Sequence, residues 1–118
     1  MMSTTIIVMC EDAAALADIE AIAGVPGVDA VFVGAYDLSA SLGHVGEPEH
    51  PQVLEAVDRV VAATRRHGIA TGVMSARPEA VSGWFEAGCA FVVAGVDTVM
   101  LRQGVLATLA ATGERPSG

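Results

Sequence analysis

Hydrophobic residues fall along this chain in short, nearly unbroken runs separated by longer amphipathic stretches. The runs at about Thr4–Cys10, Ala30–Val33, Ala70–Met74 and Ala90–Ala94 show little polar alternation, the pattern of parallel strands rather than of strands with one wet face. Asp12 is placed to cap a helix over about Ala13–Ala23, with Leu16, Ile19 and Ile22 on one face and Gly24 at its end. A long loop runs from Gly34 to His50, broken by Gly34, Gly43, Gly46 and Pro48, with one short helical turn at Asp37–Leu42. Pro51 opens a helix to about Arg66, with Leu54, Val57, Val61 and Thr64 as its buried stripe and His67-Gly68 as its close. Arg77-Pro78 starts a helix through Ala87, and Asp97 or Thr98 caps a last one to about Ala111. Gly113–Gly118 reads as a frayed polar tail.

Four strand–helix units in series make an α/β chain with parallel strands, either half of an eight-stranded (β/α)8 TIM barrel or a small open sheet. A half barrel leaves its inner face and two strand edges open, and such edges invite pairing. The expectation is therefore completion by self-association, by a complementary half-barrel or by a missing half. The length of 118 residues fits one half-barrel domain spanning the chain.

Composition narrows the functions open to such a chain. A net charge of −8 argues against nucleic acid and anionic membrane as partners. The hydrophobic content of 53% is high for a small monomer and points to apolar surface covered by a partner. Neither a basic leader nor a stretch long enough to cross a bilayer is found. Cys10 and Cys89 sit in apolar runs and read as buried thiols of a reducing cytoplasm. The chain has no lysine, which removes Schiff-base chemistry from its own residues.

Two acids stand just past apolar strands: Glu11 after the first, and Asp37 after the second. In parallel βα folds chemistry collects at the carboxyl ends of strands, and paired carboxylates there suit a hard cation. Each acid has a plainer reading as a helix cap. His44 and His50 fall in the long loop as solvated residues, with His50 shaping the start of the next helix. Arg77 and Arg102 follow strands and could meet an anion, although the helix-surface reading is the plainer one. Met74 and Ser75 end the third strand and could line a pocket, while Trp84 and Phe85 suit packing outside the sheet, with Trp84 at a possible interface.

The segment Val31-Phe32-Val33-Gly34-Ala35-Tyr36-Asp37-Leu38-Ser39-Ala40-Ser41-Leu42-Gly43 resembles a signature of the HpcH/HpaI aldolase and citrate lyase family, an apolar strand followed by G-P-x-D-L-S and L-G. Three further stretches agree in order: Ile6–Glu11, the loop Gly46-Glu47-Pro48-Glu49-His50-Pro51, and Gly88 through Thr98. The resemblance covers about residues 5 to 110. It implies a (βα)8 barrel, usually oligomeric, acting as a class II aldolase, a carbon–carbon lyase cleaving 4-hydroxy-2-oxo acids. It implies a divalent metal (Mg²⁺, Mn²⁺ or Co²⁺) that holds pyruvate, a small 2-oxo acid, as its enolate. The implied metal ligands are Glu11 and Asp37. The Ala35-Tyr36 backbone would lie against the pyruvate carboxylate, and Met74 is the further candidate for substrate contact.

Departures from the family pattern matter as much. Met9 stands where the family carries a glutamine, and a thioether cannot replace the amide's hydrogen bonds. Ala35 replaces the signature proline. The arginine and histidine that the family uses lie in the first half of its barrel, so the resemblance is to the carboxyl-terminal half only. No residue of this chain is thereby assigned to proton transfer. A non-catalytic half-barrel, kept as an assembly or binding module, is the alternative reading.

Overall fold

The computed structural model describes residues 3–113. Four strands, β1 (Ile7–Cys10), β2 (Ala30–Val33), β3 (Ala70–Ser75) and β4 (Phe91–Ala94), form one sheet in the order β1-β2-β3-β4. All neighbours pair in parallel. Each crossover carries helix: α1 (Ala13–Ala17) and α2 (Ile19–Ala23) after β1, α3 (Ala35–Ser41) and α4 (Pro51–Arg66) after β2, and α5 (Val81–Glu86) after β3. A final helix, α6 (Asp97–Thr112), follows β4. These are the four βα units with parallel strands that the apolar runs predict, the number in half of a (β/α)8 barrel.

Several local boundaries differ from the sequence reading. β1 begins at Ile7 rather than Thr4, because Ile6 donates its N–H to the Asp29 side chain at 2.7 Å instead of joining the ladder. The first helix is broken at Asp18, which ends α1 and starts α2. Asp12 caps as expected, accepting from the Ala15 N–H at 2.7 Å. The turn after β2 is longer than expected, a seven-residue helix. The helix expected from Arg77 starts instead with a 3-10 turn at Pro78–Ala80. Neither Asp97 nor Thr98 caps α6; Val96 holds that place, and Asp97 instead accepts the Thr98 N–H at 2.7 Å. Of the expected tail, residues 114–118 lie outside the described residues.

The two faces of the sheet are in opposite states. Register puts Cys10, Val33, Val73 and Val92 in one row across all four strands, and this row lies under the helices. The core there is made by Leu16 and Ile19 of α1 and α2, Leu38 of α3, and Val53, Val57, Val60 and Val61 of α4. Leu54, expected in the α4 stripe, is 42% exposed. It lies one residue beyond the arc that meets the sheet, and Val53 takes its place. Trp84 is buried at 4% exposure and so is core rather than interface.

The other face carries the row Met9, Phe32, Gly72, Phe91. Gly72 leaves room for its neighbour, since the Phe91 ring occupies the volume that a Cβ there would fill. Phe91 stacks on Phe32 with ring centroids 6.0 Å apart. Ile7, Met9 and Val93 on this face stay about half exposed. The strands are thus not buried on both sides, which is the state expected of a barrel's inner wall when only half of the strands are present.

Candidate functional site

The carboxyl ends of β1, β2 and β3 gather most of the residues singled out above. Glu11 is the first residue beyond β1, and Asp37 lies in the first turn of α3, directly after β2. Because β1 and β2 are paired neighbours, both acids belong to adjacent strand tips at the same end of the sheet. The junction between them is tight. Gly34 donates its N–H to the Cys10 carbonyl at 3.1 Å and begins α3. A Cβ built on Gly34 would stand 3.0 Å from Glu11 Cβ and 3.4 Å from Glu11 Oε2. Glycine at this position is therefore a matter of close approach: it leaves the room that the Glu11 side chain occupies.

Ala35 is fully buried, Tyr36 half-buried and Asp37 exposed, so successive residues of one helical turn face the core, the rim and solvent. Ser39, also buried, donates its hydroxyl to the Tyr36 carbonyl at 2.6 Å and fixes that turn. Met9 reaches the same junction, its Cε 3.4 Å from the Cβ position of Gly34. Met74, near the end of β3, joins Tyr36, Ser75, Arg77 and Trp84 around a small cavity of about 10 Å³.

Among the described residues, no group of three or more His, Cys, Asp or Glu side chains could together hold a metal ion. Glu11 and Asp37 are exposed carboxylates, hard oxygen donors of the kind a divalent cation takes. The room kept at Gly34 for the Glu11 carboxylate agrees with that chemistry.

Beside the acids lies a cluster the sequence reading underrated. Arg77 donates to Glu49 at 2.8 Å and to Glu79 at 3.0 Å, tying the α3–α4 loop to the end of β3. Its own backbone N–H, and then the Arg77 side chain, hold the Glu79 carboxyl below the usual carboxylate range. Tyr36, Glu47, Glu49, His50 and Arg77 line an open cavity of about 440 Å³. Gln52 went unnoticed in the sequence, although it bonds both loop histidines. The Gly-x-Pro-x-His-Pro spacing marked the loop but not its partners. Arg102 lies on α6 and is exposed.

Both cysteines are free and buried. Burial first, then the Asp12 carboxylate, pushes the Cys10 thiol up to about 11, against the opposing effect of Arg59. Burial and then Asp58 push Cys89 up to about 11.

Comparison with known proteins bears on what this end of the sheet is. The sequence profile described as HpcH/HpaI aldolase/citrate lyase matches residues 1–104. The chain is 43% identical over 100 residues to a hydroxypyruvate/pyruvate aldolase of Pseudomonas aeruginosa, covering 85% of this chain and 37% of that protein. It is 39% identical over 105 residues to a 4-hydroxy-2-oxo-heptane-1,7-dioate aldolase of Klebsiella pneumoniae, covering 89% of this chain and 40% of that one. Among solved structures, an HpcH/HpaI aldolase from Desulfitobacterium hafniense superposes with a TM-score of 0.86 at 34% identity, over 96% of this chain and 44% of the other. A family protein from Burkholderia cenocepacia gives 0.83 at 37% identity, over 92% and 42%. The chain therefore spans about two fifths of the length of the relatives it matches. With a profile match over most of its length and a shared parallel half-barrel, this chain belongs to the HpcH/HpaI aldolase/citrate lyase family.

Proposed function

We infer that this single half-barrel domain is the cation- and pyruvate-handling part of a class II aldolase, cleaving 4-hydroxy-2-oxo acids once its barrel is complete. The observation that carries this reading is the junction at Gly34, where the Glu11 carboxylate packs against the start of the helix bearing Asp37. Glu11 and Asp37 would hold Mg²⁺, Mn²⁺ or Co²⁺. A cation bound there supplies Lewis-acid polarisation of a 2-oxo acid. The chain's own part is orientation. The Ala35-Tyr36 backbone would receive the carboxylate of the 2-oxo acid, and Met74 with Tyr36 would wall the aldehyde side. No side chain of this half is assigned the proton transfer, so turnover needs groups from a second chain or a complementary half. The open inner face and the free edges of β1 and β4 support completion by self-association or by such a half. The buried free thiols suit a reducing cytoplasm, and among the described residues no helix is long and apolar enough to cross a membrane.

Titration calorimetry with Mn²⁺ tests the site. Binding should occur with the wild-type chain and be lost in both Glu11→Gln and Asp37→Asn; absence of binding in the wild type overturns the reading. Release of pyruvate from a 4-hydroxy-2-oxo acid, dependent on Mn²⁺, then separates an active assembly from an inert one.

The second reading, a half-barrel that assembles or binds without catalysis, draws on Met9. Its thioether lies at the Glu11–Gly34 junction, where it offers a bound substrate at most a weak acceptor. Cation binding with no pyruvate release under any condition of assembly supports that reading.

A further inference from the structure

The loop between α3 and α4 holds a cluster that neither the carboxylate pair nor the Met74 wall uses. His44 and His50 stack face to face, with ring centroids 3.4 Å apart and planes 13° from parallel. Gln52 engages both rings: its Oε1 lies 2.8 Å from His44 Nε2, and its backbone N–H donates to His50 Nδ1 at 3.2 Å. A backbone amide can only donate, so His50 Nδ1 must present a lone pair, which makes this ring neutral with its proton on Nε2. That bond is the cap of α4. Pro51 has no N–H, and Gln52 carries one of the first-turn donors that the helix itself cannot satisfy. The loop is held a second time where Arg77 donates to Glu49, and this contact lies on the cavity shared with Tyr36 and His50.

We propose that residues 43–50 form an acid-labile clasp on the start of α4, its cap made by a neutral His50 stacked on His44 and lost when His50 is protonated. A proton on His50 Nδ1 turns the cap's acceptor into a donor pointed at the Gln52 N–H. Charge on both rings would put like charges at stacking distance. The groups facing the pair do not cancel this. Glu47 lies 3.9 Å from His44 Nδ1 and lines one cavity with His50, so it offsets part of a charge on either ring but does not restore the acceptor lost to the Gln52 N–H. Glu49 is engaged by Arg77, whose positive charge lines the same cavity as His50, and Tyr36 of α3 lines it as a neutral group. Acid therefore uncaps α4, while the Arg77–Glu49 contact keeps its own hold on the loop. The clasp stands whether or not Glu11 and Asp37 bind a cation.

Long-range ¹H–¹⁵N NMR on the 118-residue chain tests it, following His50 and the Gln52 amide together as the pH is lowered from about 7.5 to about 5.5. At the upper end His50 should show a free imine Nδ1. As it protonates, the Gln52 amide should open roughly five- to tenfold more often, the change expected for loss of an N-cap. His50→Asn, which caps without titrating, should keep Gln52 closed throughout. An Nδ1–H tautomer at the upper pH overturns the clasp, as does protonation of His50 with no response at Gln52. Equal acid opening in His50→Asn overturns it too. Circular dichroism at both ends of the titration confirms that helix is retained; loss of helix in wild type and variant alike also counts against the clasp.

Discussion

Helices α4 and α6 are each 16 residues long, yet they end in opposite environments. In α4 the valines at 53, 57, 60 and 61 share one arc and are buried on the sheet, while Glu55, Asp58, Arg59, Arg65 and Arg66 take the wet side. In α6 apolar residues run all the way round: Met100, Leu101, Val105, Leu106 and Leu109 are between 48% and 70% exposed, and no residue is buried. An amphipathic helix declares its own partner, because only one stripe needs covering. A helix apolar on every side declares a larger environment than its own chain supplies. The sheet repeats the contrast, sealed on the side of Cys10, Val33 and Val73 and open on the side of Ile7, Met9 and Val93.

The largest effect should come from charging each helix in turn. Val60→Asp puts an unpaired carboxylate in the sealed core, and a cost of about 3–5 kcal/mol, enough to unfold so small a domain, is expected in urea denaturation. Leu101→Asp, on a residue 70% exposed, should change the same measurement by less than about 0.5 kcal/mol. Equal effects would erase the comparison.

Alkaline pH should probe the sealed side next. Both thiols have an ordinary value of 9.0 and are pushed to about 11 in the fold. Below pH 9 both states keep their protons and nothing changes. Above it the unfolded chain sheds protons that the buried thiols retain, so stability falls until the folded values near 11 are passed. The loss should approach about 2–3 kcal/mol per thiol, and Cys10→Ala should remove one share of that slope.

On the open side of the sheet the response should be smaller than in the core. Gly72→Ala forces the Phe91 ring aside, but the ring borders an exposed face and has somewhere to go. A cost of about 1 kcal/mol is expected, at the low end of the range for overpacking. A cost rivalling Val60→Asp would mean that this face is sealed after all.

Much of this was legible in the chain. The apolar runs located all four strands to within a few residues, and the acids past the first two fall, as expected, at the carboxyl end of the sheet. Leu54 was misjudged because a stripe read at helical spacing leaves the arc free by one residue, and only the contact with β3 and β2 decides between Val53 and Leu54. Gln52 was missed because its part is played by a backbone N–H and a terminal amide, groups with no distinctive spacing.

By itself the sequence determined the strand–helix alternation, the parallel sheet and the family, because hydrophobic period and turn residues act locally and survive without the rest of the molecule. Only the tertiary structure decided that Glu11 shares its space with Gly34, that Phe91 fills the place of a missing side chain at residue 72, and that His44 and His50 close on each other. Those facts depend on how particular side chains meet in space, which is fixed by packing and which no one-dimensional pattern carries.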